Sequence, residues 1–124
     1  MILCDTNVFI EIFRNRFEIE AIIKFIGHEN IVISDVVKSE LLFGAKDKKE
    51  LQSIKNLLNN YRTLSIQHEI SRMAADLVEQ YCLSHKLNIP DSLIAATALY
   101  HNVELFTLNI KDFRFIPNLK LYQI

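Results

Sequence analysis

At 124 residues the chain has a common single-domain length and can close a core of its own, so residues 1–124 are expected to form one domain. Half of the residues are hydrophobic, with only 2 Gly and 2 Pro, which excludes disorder, low-complexity linkers and a turn-rich all-β architecture. The net charge of −1 weighs against a uniformly basic, polyanion-coating surface.

Met1 to Cys4 reads as a short buried strand ending at Asp5, and Thr6-Asn7 offers a cap for a helix carrying Val8, Phe9, Ile12 and Phe13. A second helical pattern, Ile19, Ile22, Ile23 and Ile26, stops at Gly27, and Ile31-Val32-Ile33 makes the next strand. Ser34 or Asp35 can cap the following helix, which holds Val36, Val37, Leu41 and Leu42, carries Glu40 on its second turn and ends near Gly44. A polar helix from Lys46 to Asn60, a strand over Thr63 to Ile66 and a long amphipathic helix from His68 to His85 follow. Pro90 suits a helix entry, with Asp91 capping the helix from Ser92 to Tyr100. Glu104 to Thr107 reads as a strand, Asn109 to Phe113 as a turn and Leu119 to Tyr122 as a last strand. Strands alternating with helices predict an α/β fold, a mainly parallel sheet with helices on both faces.

No apolar run reaches the ~18 residues of a membrane span, and Asp5 falls where a signal peptide needs a basic and then an apolar stretch, which points to the cytoplasm. Cys4 and Cys82 show no close Cys–Cys or Cys–His spacing, so both read as buried thiols in a reducing compartment.

Four acids stand in apolar or turn contexts: Asp5, Glu40, Asp91 and Asp112. Ionised carboxylates are rarely buried unless paired or bound to a metal. Each has an ordinary structural explanation, Asp5 and Asp112 as turn residues, Glu40 as a helix-surface acid and Asp91 as a cap. In a parallel sheet, however, the active crevice lies outside the carboxyl ends of the strands, and four acids in such positions favour a shared hard cation, magnesium or manganese. Setting them aside leaves 11 acids against 14 Lys and Arg, so a polyanionic substrate fits. Lys46, Lys48 and Lys49, and Arg14 with Arg16, could contact its phosphates.

The segments Asp5-Thr6-Asn7, Ser39-Glu40-Leu41 with Gly44, Asp91-Ser92-Leu93-Ile94-Ala95-Ala96, and Thr107-x-Asn109-x-x-Asp112-Phe113 resemble the PIN-domain ribonucleases, specifically the VapC toxins of bacterial toxin-antitoxin pairs. The resemblance runs from Met1 to about Leu119, and its specificity lies in the order of the four motifs. It departs only at Cys4, where an aliphatic residue is usual, and at Ser92, where a small apolar one is. It implies a PIN-like fold and a Mg- or Mn-dependent endoribonuclease, usually homodimeric, held inactive by a small antitoxin. Asp5, Glu40 and Asp91 would hold the principal metal and Asp112 would complete the site, with Thr6, Thr107 and Asn109 orienting them. Attack of water on phosphorus would leave 5′-phosphate and 3′-hydroxyl ends. His28, His68, His85 and His101 fall outside the motifs.

Two other classes compete. A phosphoacceptor receiver domain would need paired acids after the first strand, yet Cys4 precedes Asp5 and no acid follows Leu64-Ser65-Ile66. A non-catalytic interaction module would use the acids only as caps. Within the nuclease reading, an RNA-processing PIN protein without an antitoxin is the near alternative. Phe9, Ile12 and Phe13, with Leu41, Leu42 and Phe43, place much apolar bulk beside the acids, divided between core packing and an exposed groove for a partner helix.

Overall fold

A computed structural model describes residues 1–124. The chain runs β1 (Ile2–Cys4), α1 (Thr6–Phe13), α2 (Phe17–Ile26), β2 (Ile31–Ser34), α3 (Asp35–Phe43), α4 (Lys48–Leu58), β3 (Arg62–Leu64), α5 (His68–His85), α6 (Ile89–His101) and β4 (Glu104–Phe106). Single 3-10 turns lie at His28–Asn30 and Ile110–Asp112. The strands form one parallel sheet in the order β3-β2-β1-β4. All four residues of β2 are buried, which requires cover on both faces of the sheet and explains its continuous apolar run. Phe9, Phe106 and Phe113 are the largest fully buried side chains.

The caps differ in part from the sequence reading. Asp5, not Thr6 or Asn7, caps α1, its Oδ1 accepting from the Thr6 N–H at 2.8 Å, because Thr6 already belongs to the helix. Ser34 caps α3 through the Val37 N–H at 3.2 Å. Asn88, not Asp91, caps α6: its Oδ1 accepts from the Asp91 N–H at 2.8 Å, leaving the Asp91 carboxylate free of that task. Gly27 ends α2 at φ +91, a backbone angle that favours glycine.

The expected strand at Leu119–Tyr122 is reduced to a single parallel bridge, Leu105 to Leu121, held by Leu105 N–H to the Lys120 carbonyl and Tyr122 N–H to the Leu105 carbonyl, both 2.8 Å. Just before it Asn118 takes a left-handed conformation, φ 68, which Asn tolerates better than most residues. The strand placed at Thr63–Ile66 is observed at Arg62–Leu64, with Ile66 exposed. No helix is long and apolar enough to cross a membrane.

Candidate active site

From β1 the chain builds outward through β2 to β3 and then returns to the other side of β1 for β4. The β1/β4 boundary is thus the point where strand order reverses, and a crevice opens beyond the carboxyl ends of those strands. Cys4 pairs with Phe106, so Asp5 and Thr107 leave the sheet side by side, and the Asp5 N–H donates to the Phe106 carbonyl at 2.9 Å.

Around that point the polar side chains are tied in sequence. The Thr107 hydroxyl donates to Asp5 Oδ2 at 2.8 Å and accepts from Asn7 Nδ2 at 3.3 Å and from the Asn109 N–H at 3.1 Å. A hydroxyl has one proton and two acceptor sites, so the two N–H donors direct that proton at Asp5. Asn7 closes the link from its other end, its Oδ1 accepting from the Leu108 N–H at 3.2 Å. Asp5 is 6% exposed, and each of its oxygens accepts a single hydrogen bond, which leaves lone pairs for a cation. Thr6 serves twice: its N–H binds Asp5, and its hydroxyl donates to Glu40 Oε1 at 2.7 Å, fixing an otherwise exposed acid toward the site.

Asp91 enters from the first turn of α6 and Asp112 from the 3-10 turn after β4, both half-buried. Burial is the main cause that pushes the Asp91 carboxyl up to about 6, and the charges of Asp5, Asp112 and Glu40 push in the same direction against a contact from Asn88. Asp5 is raised chiefly by burial, opposed by its bonds from Thr107 and Thr6 and reinforced by Glu40 and Asp112. Asp5 and Asp91 therefore both lie within electrostatic reach of Glu40 and Asp112. No three His, Cys, Asp or Glu side chains are drawn close enough to enclose an ion unaided.

Of the remaining expected residues, Thr6 and Thr107 contact the acids, whereas Asn109 takes part only through its backbone N–H and its side chain is exposed. Asn7 is the orienting residue that sequence reading misassigned as a cap; its signal was a polar side chain beside Asp5, but its partner lies 100 residues away. Ser92, in place of a small apolar residue, is buried without cost because its hydroxyl donates to the Ile89 carbonyl at 2.7 Å. Burial drives the Cys4 thiol far up, which keeps it inert.

The six apolar residues beside the site divide. Phe9 is fully buried, edge-on to Tyr61 at 5.4 Å, and Leu41 also belongs to the core, so neither offers a partner surface of its own. Ile12 and Leu42 are half-buried against that core. Phe13 and Phe43 are 43% and 92% exposed. A groove of about 670 Å³ opens beside Phe13 and Leu41, and it also takes in Ile10, outside the expected set.

The parallel four-stranded sheet with its acidic crevice at the β1/β4 reversal is a PIN-like α/β fold, and the chain belongs to the PIN domain family, whose model matches residues 2–117. Within that family it is of the VapC type. It is 30% identical over 121 residues to Ribonuclease VapC10 of Mycobacterium tuberculosis, covering 97% of this chain and 91% of that protein. Among solved structures it resembles a toxin-antitoxin complex from Klebsiella pneumoniae, with a TM-score of 0.82, 31% identity and 100% of both chains covered. VapBC2 from Rickettsia felis bound to a DNA fragment from their promoter matches with a TM-score of 0.82, 30% identity and 98% of both chains. The receiver-type alternative is thereby excluded.

Proposed function

We propose that this protein is the toxin of a type II toxin-antitoxin pair, a cytoplasmic endoribonuclease that uses magnesium or manganese to hydrolyse RNA phosphodiesters. The observation that carries this reading is the buried Asp5 at the β1/β4 crevice, whose oxygens each accept only one hydrogen bond, with Glu40 tied beside it through Thr6 and Asp91 entering from the first turn of α6. Relatives named as ribonucleases and solved toxin-antitoxin complexes support the substrate and the partner. In this reading the working form is a homodimer, and a short antitoxin segment covers the exposed Phe43 of α3.

Asp5, Glu40 and Asp91 would hold the ion directly or through water, with Asp112 completing the site or assisting a second ion. Bound there, the ion would neutralise charge on the phosphate and make a water molecule more acidic. Thr107 holds Asp5 with its free lone pairs toward the crevice, and Thr6 keeps Glu40 from swinging into solvent. Such orienting hydrogen bonds are worth about 10- to 100-fold in metal affinity or activity. No histidine belongs to this hydrogen-bonded set. Cleavage should leave 5′-phosphate and 3′-hydroxyl ends.

The test is RNA cleavage by the wild type, Asp5→Asn and Asp91→Asn with magnesium, manganese, calcium or excess EDTA. Activity with magnesium or manganese alone, lost in both variants, is expected. Equal cleavage in EDTA would sink the metal-dependent reading.

A further inference from the structure

We propose that the groove beside Glu40 is the track for a single-stranded flank of the RNA, with Phe13 as a stacking platform for a base and Arg14, Lys46 and Lys49 as phosphate contacts. The inference rests on the nuclease reading and names the path by which its substrate reaches the acids. Glu40 lines the groove and is also fixed by Thr6 beside Asp5, so groove and acidic crevice are continuous.

The groove's chemistry suits a nucleic acid strand better than an apolar helix. Of its 12 lining residues only 4 are hydrophobic, whereas a groove for an amphipathic helix is lined mainly by apolar side chains. Two of those four, Ile10 and Phe13, are 38% and 43% exposed on α1. An accessible aromatic ring among basic side chains is the arrangement that binds single strands, by stacking on any base and attraction for the backbone.

The lining carries three cations, Arg14, Lys46 and Lys49, and three acids, Glu40, Asp47 and Glu50. Lys46 and Lys49 form no ion pair, since every ion pair of the chain uses Arg14, Arg16 or Lys24. The two acids that share this groove near them are engaged with backbone: Asp47 Oδ1 accepts from the Glu50 N–H at 2.8 Å, and Glu50 Oε1 from the Lys46 N–H at 3.3 Å, both at the start of α4. Arg14, at the C-terminal end of α1, is ion-paired with Glu11 at 3.2 Å. The groove therefore carries Arg14 at the end of α1, Lys46 before α4 and Lys49 in its first turn, with Glu40 at the end shared with the acidic crevice and Asp47 and Glu50 beside the lysines.

The experiment titrates a fluorescent single-stranded RNA with full-length protein by anisotropy, in calcium, with a gel confirming that the RNA stays intact. Lys46→Ala/Lys49→Ala should weaken binding and flatten the slope of log K against log salt by about 1.4, since each contacted phosphate of a single strand contributes about 0.7. Phe13→Ala should weaken binding about 5- to 150-fold, the equivalent of one lost stack, with the salt slope kept. Phe13→Tyr should restore it, which separates stacking from folding. Lys55→Ala, on the same helix but outside this groove, should leave affinity unchanged. If wild type cleaves RNA but the Phe13 and lysine variants bind like it with the same slope, the track is refuted, the nuclease reading stands, and the groove is left to a protein segment. If wild type neither binds nor cleaves RNA, both readings fail.

Discussion

Replacing Asp91 with Asn should stabilise the metal-free protein. The Asp91 carboxyl is held up at about 6 against an ordinary 3.8, so its charged form is disfavoured in the fold. One pK unit corresponds to 1.36 kcal/mol, and the full shift would put about 3 kcal/mol on the ionised group. Partial exposure screens the neighbouring charges and reduces this to about 1–2 kcal/mol, and the favourable position of an acid in the first turn of α6 returns about 0.3–1 kcal/mol. The helix cap is unaffected, because Asn88 supplies it and the residue 91 N–H survives the substitution. The balance is about 0–1.7 kcal/mol, and a domain of this size gains about 3–6 °C per kcal/mol, so Asp91→Asn should melt up to about 10 °C higher in EDTA at pH 7.5. The sign with pH follows from linkage. Below about 4 the carboxyl is protonated in both folded and unfolded states and the variant has no advantage; as pH rises through about 6 the folded group must ionise and the wild type loses this increment. Magnesium should reverse the order, raising wild-type stability by about 2.7 kcal/mol at a hundredfold excess over its dissociation constant and that of the variant far less. Thermal melts from pH 4 to 8, with EDTA or magnesium, read all of this. A variant less stable than wild type in EDTA at pH 7.5, together with a wild type indifferent to magnesium, would refute the reasoning and make the acids structural.

Thr107→Val should cost about 1–3 kcal/mol by denaturant unfolding, because the Asn7 and Asn109 donors lose their acceptor and Asp5 loses a donor, and it should reduce cleavage as Asp5 turns. Unaltered stability and activity would show that Thr107 does not orient Asp5. Thr6→Val should leave the melting temperature nearly unchanged, since its bond to Glu40 is exposed, yet raise the magnesium concentration needed for half-maximal cleavage about 10- to 100-fold. A magnesium titration identical to wild type would remove Glu40 from the metal's immediate neighbourhood.

The sequence by itself determined the features that depend on near neighbours in the chain. The spacing of Ile70, Met73, Ala74, Leu77 and Tyr81 set the α5 helix at His68–His85, Gly27 marked the end of α2, and the short apolar runs before Asp5 and Ser34 placed β1 and β2. Asp5, Glu40, Asp91 and Asp112 stand out for a similar reason, since an acid in an apolar or turn context is unusual wherever the chain later goes. What only the tertiary structure decided depends on which strand lies beside which. The adjacency of β1 and β4 gives Asn7 a partner in Thr107 and so makes it a positioning residue rather than a cap. Asn88 could displace Asp91 as cap because α6 begins a turn earlier than Ser92, a boundary that the apolar pattern does not mark. Likewise Phe9 and Phe13 lie on one helix with the same side chain, four residues apart; Phe9 meets Tyr61 and is sealed, while Phe13 reaches the edge of the groove, because the packing of α1 against its neighbours ends between them.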